Sequence, residues 1–207
     1  MSEWIYTQMP ADGTADLTRL HPKFDPKRGR NYFLPDRILD ELRSPGFKLQ
    51  GRYGQTVLGH SLQSATMAER DGHDDEYVIC CLVHDVMHNF APGLAHADLA
   101  AALVQPYVSE ANHWMVKHHN IFVGHYVWEK IGRDPNAREQ FKDSPYFDYT
   151  DEFVVKYDNP ARDPEYPNEP IEHFESRVRD IFGKVPKVEK DPYAVNQEML
   201  KANGYAR

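Results

Sequence analysis

The chain has only two cysteines in 207 residues, Cys80 and Cys81, and they are adjacent. Neighbouring cysteines rarely reach disulfide geometry, which excludes a disulfide framework and favours buried, reduced thiols. Lysine and arginine total 24 against 32 acidic residues, so no basic surface is offered to a phosphate backbone. No apolar run approaches the roughly 20 residues that span a membrane, and the N-terminus lacks a secretory leader pattern. We therefore expect a cytoplasmic protein that binds neither nucleic acid nor membranes.

Strand patterns are also lacking, whereas apolar residues recur at helical spacing from residue 51 onward. The sequence predicts an all-α fold in three parts: an N-terminal arm or lid at residues 1–50, a helical domain at 51–183 and a loose, proline-preceded tail at 184–207. The arm either closes over a pocket or takes part in a homodimer. Helices are expected at about 36–42, 56–70, 75–88, 94–104, 108–119, 122–131, 137–141, 150–158 and 171–182.

The doublet His84-Asp85 is the first indication of chemistry, because it ends the apolar run from Tyr77 to Val83. A carboxylate and an imidazole at the end of a buried segment are costly unless something pairs with them. A divalent metal ion is the usual partner, since neutral imidazole and ionised carboxylate are good ligands for first-row metals. A helix-terminal pair satisfied by backbone groups is the simpler explanation of the doublet taken alone.

Further candidate ligands lie before and after this doublet along the chain: His60, His96, His118, His119 and Asp158. Each has a bland interpretation, since a lone histidine on an apolar helix face is more often a core residue than a ligand. Adjacent positions on a helix point about 100° apart, so only one of His118 and His119 should reach a metal. Apolar periodicity does not choose between them. The joint occurrence of these residues favours a site for one or two metals.

Three short segments carry a family resemblance: Gly59-His-Ser-Leu-Gln63, His84-Asp-Val-Met-His88 and Tyr157-Asp-Asn-Pro-Ala-Arg162. They resemble the HD-domain superfamily of metal-dependent phosphohydrolases, an all-α helical bundle. With its additional histidines, the chain is more similar to the mixed-valence di-iron oxygenases of this superfamily. That group includes myo-inositol oxygenase and an organophosphonate oxygenase. The resemblance is at the level of motifs and covers about residues 51–183.

The resemblance implies two metal positions and favours His119 over His118. One metal would take His60, His84, Asp85 and Asp158, and the other Asp85, His96 and His119. Asp85 would thus bridge the two ions, and His88, one turn after His84, would face the cavity and bind or deprotonate the substrate. The expected ions are two irons, in the Fe2+ and Fe3+ states, with Mn, Co, Ni or Zn as alternatives.

The segments around these motifs depart from the phosphonate enzyme. Gln50 and Tyr53 stand where that enzyme has a tyrosine–glutamate pair, and Phe122 stands where a phosphonate-binding lysine is expected. His125 and Arg162 are replacement candidates for binding an anionic group of the substrate.

The function implied is oxidative cleavage of a C–C or C–P bond in a small hydroxylated, potentially anionic substrate, with O2 as the second substrate. A phosphohydrolase acting on a small phosphate ester or nucleotide is the alternative, in which the metals would generate hydroxide from a bridging water. A third class is a non-catalytic helical interaction protein, which would keep the same shell of residues without a metal and without loss of stability.

Overall fold

The computed structural model describes residues 33–49, 54–91, 93–184 and residue 187. Seven α-helices are found there: α1 (Leu34–Leu42), α2 (Val57–Arg70), α3 (Asp75–Val83), α4 (Ala95–Val104), α5 (Glu110–Val127), α6 (Phe147–Phe153) and α7 (Ile171–Phe182). Short 3-10 helices occupy Gly46–Lys48, Glu129–Ile131 and Ala137–Phe141, and one π-helical turn, Val154–Asp158, continues α6. The described residues contain no β-strand, and the predicted all-α fold is confirmed for them.

Helix α3 is the centre of the core. All residues from Tyr77 to Val83 are buried, which explains why this segment is continuously apolar rather than amphipathic. Helices α2, α5 and α7 pack around it. Cys80 and Cys81 lie within it as free, buried thiols, and burial raises the pKa of both far above the usual range.

Helices α2, α3 and α5 each begin at a residue whose side chain caps the helix. The side chain of Thr56 accepts a hydrogen bond from the amide of Gly59, and that of Asp74 accepts one from Tyr77. Ser109 accepts in the same way from the amide of Asn112 at the start of α5. Such caps satisfy helix amides that have no partner within the helix.

Two helix predictions were wrong. The helix expected at 75–88 ends at Val83, and residues 84–90 form turns closed by i→i+3 bonds such as His88 N–H to Asp85 O (2.8 Å). The helices expected at 108–119 and 122–131 are one helix, α5, which runs without a break through His118 and His119.

Residues 33–49, which the sequence placed in the N-terminal arm, are partly core. Helix α1 packs against α7, and the 3-10 helix after it packs against α2. The fully or nearly fully buried side chains in this stretch are Ile38, Leu39, Leu42 and Phe47. None of the described helices is both long and apolar enough to cross a membrane.

Candidate metal centre

The candidate ligands come from five separate parts of the chain and meet in the interior. Helix α2 supplies one, the turn after α3 two, and helices α4 and α5 and the π-helical turn one each. The residues concerned are His60, His84, Asp85, His96, His119 and Asp158. Residues so far apart in sequence converge because α2 and α5 both pack against α3, the π-helical turn packs against α2 and α5, and α4 packs against α5.

Three of the histidines are held by backbone carbonyls through Nδ1. His60 donates to Ala161 O (2.9 Å), His84 to Cys81 O (2.7 Å) and His119 to Val116 O (2.7 Å). A neutral imidazole that donates through Nδ1 has its lone pair on Nε2. These carbonyls therefore fix the tautomer and the ring orientation that a metal ligand needs.

The Nε2 atoms of these rings converge on the two carboxylates. Nε2 of His60 lies 3.1 Å from Nε2 of His84 and 3.3 Å from Oδ1 of Asp158. Two sets of donor atoms could each hold a metal ion, because the atoms within each set all lie within 4.8 Å of one another. One set is His60, His84 and Asp158, and the other is His84, Asp85 and His119.

Asp85, a member of the second set, presents one carboxylate oxygen to His60 and His84 and the other to His96 and His119. Its Oδ2 is 3.6 Å from Nε2 of His84 and 3.8 Å from that of His60. Its Oδ1 is 2.8 Å from Nε2 of His96 and 3.4 Å from that of His119. This is the arrangement of a carboxylate that can bridge two ions.

Two carboxylate oxygens in the cluster are buried without a hydrogen-bond partner, Asp85 Oδ1 and Asp158 Oδ2. The short distance from Oδ1 to His96 does not have hydrogen-bond alignment. A buried, unsatisfied carboxylate oxygen is costly unless a cation neutralises it. The donor set of imidazole nitrogens and carboxylate oxygens fits a first-row metal ion, although it does not select one metal.

The electrostatics of the cluster are those of ionised carboxylates among imidazoles. Burial would raise the pKa of Asp85, but His84 and then His119 and His96 hold it well below the usual value. Burial likewise opposes the lowered pKa of Asp158, which hydrogen bonding to His60 produces. Burial lowers the pKa of His84 to about 4, so this ring is neutral at neutral pH and its lone pair is available.

The pKa values of His60 and His119 are shifted in the opposite direction and are raised. Burial would lower the pKa of each, but Asp158 raises that of His60 and Asp85 raises that of His119. The two carboxylates therefore favour the protonated, positively charged form of these rings. A metal ion would replace that positive charge, since ligation requires deprotonated imidazole.

His96 differs from the other three histidines. It is buried at 6% exposure, yet its Nδ1 has no hydrogen-bond partner. Its Nε2, which faces Asp85, accepts a hydrogen bond from the side-chain amide of Asn120 (2.9 Å). His96 therefore lies beside the cluster, but its ligating nitrogen is already engaged.

The π-helical turn brings Asp158 into the cluster. Its signature is the i→i+5 hydrogen bond from Asn159 N–H to Val154 O (2.9 Å). The hydroxyl of Tyr157 anchors the turn by donating to Asp71 (2.9 Å) and accepting from His73 (2.8 Å). Such turns are rare and frequently occur at functional sites.

The structure separates His118 from His119. The ring of His118 stacks on Trp114, with centroids 3.9 Å apart, and its Nδ1 donates to Trp114 O (2.9 Å). It belongs to an aromatic contact that includes Phe141 rather than to the cluster. Of the two residues left open by the sequence, His119 is the one that meets Asp85.

Of the predicted substrate-binding residues, His125 and Arg162 are described, and both hydrogen-bond to nearby parts of the chain. His125 donates from its ring to Pro135 O (3.0 Å), and Arg162 donates to the backbone and side chain of Asn159. Gln50 and Tyr53 lie outside the described residues. Arg162 follows Asp158 closely in the chain, whereas His125 is a residue of the far end of α5.

His88 lies at the rim and not in the interior. It is exposed, and its ring centroid is 5.2 Å from that of His96. The helix predicted to carry His88 ends at Val83, so this residue lies in the turns that follow the helix. The side chains of His60 and Asp85 each keep 15% exposure, so the cluster is reachable from solvent.

A cavity of about 330 Å³ borders the same turn. It is lined mainly by apolar groups of α1, α4 and residues 86–90, and none of the candidate ligands lines it. Its position beside Val86 and Met87 makes it a neighbour of the cluster and not part of it.

Sequence reasoning missed two residues of the site. Asn120 carries no sequence pattern of its own and was hidden by the expected helix break after His119. Phe153 forms an apolar wall, with its ring centroid 5.3 Å from that of His84, and the sequence analysis did not single it out.

No protein-family model matches this chain, and no curated protein matches it significantly.

Proposed function

We propose that the cluster is the metal centre of an HD-domain enzyme, a non-haem di-iron oxygenase that cleaves a C–C or C–P bond of a small hydroxylated substrate. The observation that carries the proposal is the position of Asp85, with Oδ2 towards His60 and His84 and Oδ1 towards His96 and His119. A single carboxylate shared in this way suits a two-metal site.

The family part of the proposal depends on the motif residues. His60, the His84-Asp85 doublet and Asp158 are the residues that resemble the HD-domain order, and their side chains meet. A chance set of core histidines would not be expected to share buried carboxylates that lack hydrogen-bond partners.

The preference for an oxygenase depends on the histidines beyond the HD set. His119 approaches the second oxygen of Asp85, and His96 approaches it more closely. Four imidazoles and two carboxylates form a nitrogen-rich donor set, which iron accepts as other first-row metals do. Many of the phosphohydrolases carry the pattern His-Asp-x-Gly-Lys, and His88 stands at the position of its lysine.

When bound, the metals would supply the activation of O2 and a binding position for the substrate hydroxyl. The chain would contribute the rest. The carbonyls of Cys81, Ala161 and Val116 orient the ligand rings, and Phe153 excludes water beside His84. His88, exposed at the rim beside His96, is the candidate base for the proton of the substrate hydroxyl.

The test is oxygen consumption by iron-loaded protein with a panel of small hydroxylated acids, alcohols and phosphonates. O2 uptake that requires both iron and one of these compounds supports the proposal. A matched assay uses protein loaded with Mn2+ and a panel of phosphate monoesters and nucleotides. Phosphate release there, without any O2 uptake in the first assay, would contradict the oxygenase and favour the phosphohydrolase.

The role of His88 is tested by His88→Gln against His173→Gln. His173 is exposed, pairs with Glu69 (2.9 Å) and lies outside the candidate ligands. We expect His88→Gln to lower kcat by about 10²-fold or more while iron content stays unchanged. Equal effects of both substitutions on kcat would remove His88 from the mechanism.

A further inference from the structure

The two sets of donor atoms share one ligand, which limits how they can be filled. His84 belongs to both sets, and its Nδ1 is committed to Cys81 O. Its Nε2 therefore offers a single lone pair, which can bind one ion only. If that ion is also held by His60 and Asp158, a second ion keeps only Asp85 and His119 from its set.

His96 is the residue that can complete the second set. Its Nε2 is 2.8 Å from Asp85 Oδ1, the oxygen that also faces His119. With it, the second position would have two imidazoles and a carboxylate from the protein, the same donors as the first position. Without it, two protein donors remain, which is fewer than a metal site normally has.

Asn120 occupies the nitrogen that this second position needs. Its amide donates to His96 Nε2 at 2.9 Å. In the opposite orientation the amide oxygen would accept a hydrogen bond from a protonated Nε2, so this nitrogen is engaged in either orientation. An ion on this side must displace the amide before His96 can bind it.

The Nδ1 atom of His96 also distinguishes this residue from the other three histidines of the cluster. Its Nδ1 is buried without a partner, whereas His60, His84 and His119 are all fixed through Nδ1 by a carbonyl. A hydrogen bond from the non-ligating nitrogen of a histidine typically raises its metal affinity by about 10–100-fold. His96 has no such bond, so the first position is preorganised and the second is not.

We infer that Asn120 withholds His96 from the second metal position, so that the chain fills its two positions in order and with unequal affinity. The first ion binds at His60, His84 and Asp158, and the second binds at Asp85, His119 and His96 after the amide of Asn120 is displaced. Asn120 is thus a positioning residue that acts through His96. This inference rests on the metal centre of the proposed function, and it adds the order of loading and the residue that sets it.

The experiment is a calorimetric titration of metal-free, full-length protein with Co2+, in the wild type and in Asn120→Leu. The substitution keeps a similar volume and removes the amide. We expect two binding steps in the wild type. In the variant the second step should be stronger by about tenfold, because the hydrogen bond to His96 no longer has to be broken, and the first step should be unchanged. The readout is the difference between the steps, which general destabilisation does not move selectively.

Two further variants define the steps. His96→Ala should remove the second step and keep the first. His118→Ala, on the same helix and stacked on Trp114, should leave both steps unchanged. If Asn120→Leu does not fold, which circular dichroism shows directly, Asn120→Ala provides the same test with a smaller side chain.

A second step that is unchanged or weaker in the folded variants overturns the inference, because Asn120 then does not compete for His96. Equal affinities of the two steps in the wild type also overturn it. If the wild type binds no Co2+, the metal centre itself fails, and the inference fails with it. The first two results leave the proposed function standing and the third does not.

Discussion

His60 and His84 face each other with their Nε2 atoms 3.1 Å apart, and each donates through Nδ1 to a backbone carbonyl. In the neutral form, both rings would direct a lone pair at the same point. Two lone pairs at this distance repel unless a cation lies between or beside them. The pair is therefore arranged for a proton or a metal ion, with Asp158 3.3 Å from His60 to balance the charge.

Metal binding is expected to stabilise the fold. A ligand that binds only the native state at 100 times its Kd adds about 2.7 kcal/mol, which corresponds to a rise in Tm of roughly 5–10 °C for a chain of this size. We expect this rise when metal-free protein is supplied with Fe2+ or Co2+, measured by calorimetry. Asp158→Asn should lose most of the rise, whereas Asp163→Asn, an exposed carboxylate nearby, should keep it. The same rise in both variants would contradict a site at Asp158.

The neighbouring histidines of α5 are expected to differ in metal content. His119→Ala removes a ring 3.4 Å from Asp85, so bound metal should fall by about one ion per chain. His118→Ala removes a ring stacked on Trp114 and should keep the full amount. Metal content by mass spectrometry distinguishes the two, and equal losses would mean that the helix orientation does not select His119.

The hydroxyl of Tyr157 is expected to support stability. Tyr157→Phe keeps the buried ring but removes the hydrogen bonds to Asp71, which is exposed, and to His73, which is half-buried. We expect a loss of about 1 kcal/mol in the free energy of unfolding, measured with urea. Tyr126→Phe is the matched control, because its hydroxyl contacts Asp151 at the surface, and its effect should stay within about 0.5 kcal/mol. Similar effects in both variants would remove Tyr157 as the anchor of the π-helical turn.

Glu76 is expected to make the stability of the fold depend on pH. It accepts hydrogen bonds from the amide of Ser109 (2.6 Å) and the side chain of Asn112 (2.8 Å), and so joins α3 to the start of α5. Burial would raise its pKa, but these bonds lower it overall. The native state therefore favours the ionised form. Its contribution is complete above the unfolded pKa of about 4.3 and is lost as the pH falls through the folded value.

Glu76→Gln should accordingly destabilise the protein by about 1–2 kcal/mol at pH 7, and the difference from the wild type should shrink below about pH 4. Glu129→Gln, at an exposed position, should have little effect at either pH. Urea unfolding at a series of pH values measures both. A difference for Glu76→Gln that does not change with pH would show that its carboxylate is not the source of the stability.

The sequence was informative wherever burial forces a chemical consequence. The apolar run before His84 predicted a core helix, and a doublet of imidazole and carboxylate at its end predicted a need for a partner. The structure accordingly brings His84 and Asp85 together with His60, His119 and Asp158. The all-α fold followed from helical spacing for the same reason, since helix faces must be apolar to be buried.

The rest could not be predicted because it depends on local geometry. A π-helical turn has the same residue pattern as an α-helix, so the position of Asp158 was expected on an ordinary helix end. The choice between His118 and His119 depends on the stacking of His118 on Trp114, a contact that periodicity does not encode. The bond between Asn120 and His96 joins two helices, and neither residue indicates the other in sequence.

We propose that the cluster around Asp85 binds two metal ions and that these ions are iron. The most direct test is metal content by mass spectrometry on protein expressed with added iron, together with low-temperature EPR after partial oxidation. We predict about two irons per chain, in line with a two-metal site, and the coupled signal of a mixed-valence pair. Fully folded protein that contains no metal, with a melting temperature unaffected by chelators, would contradict the account.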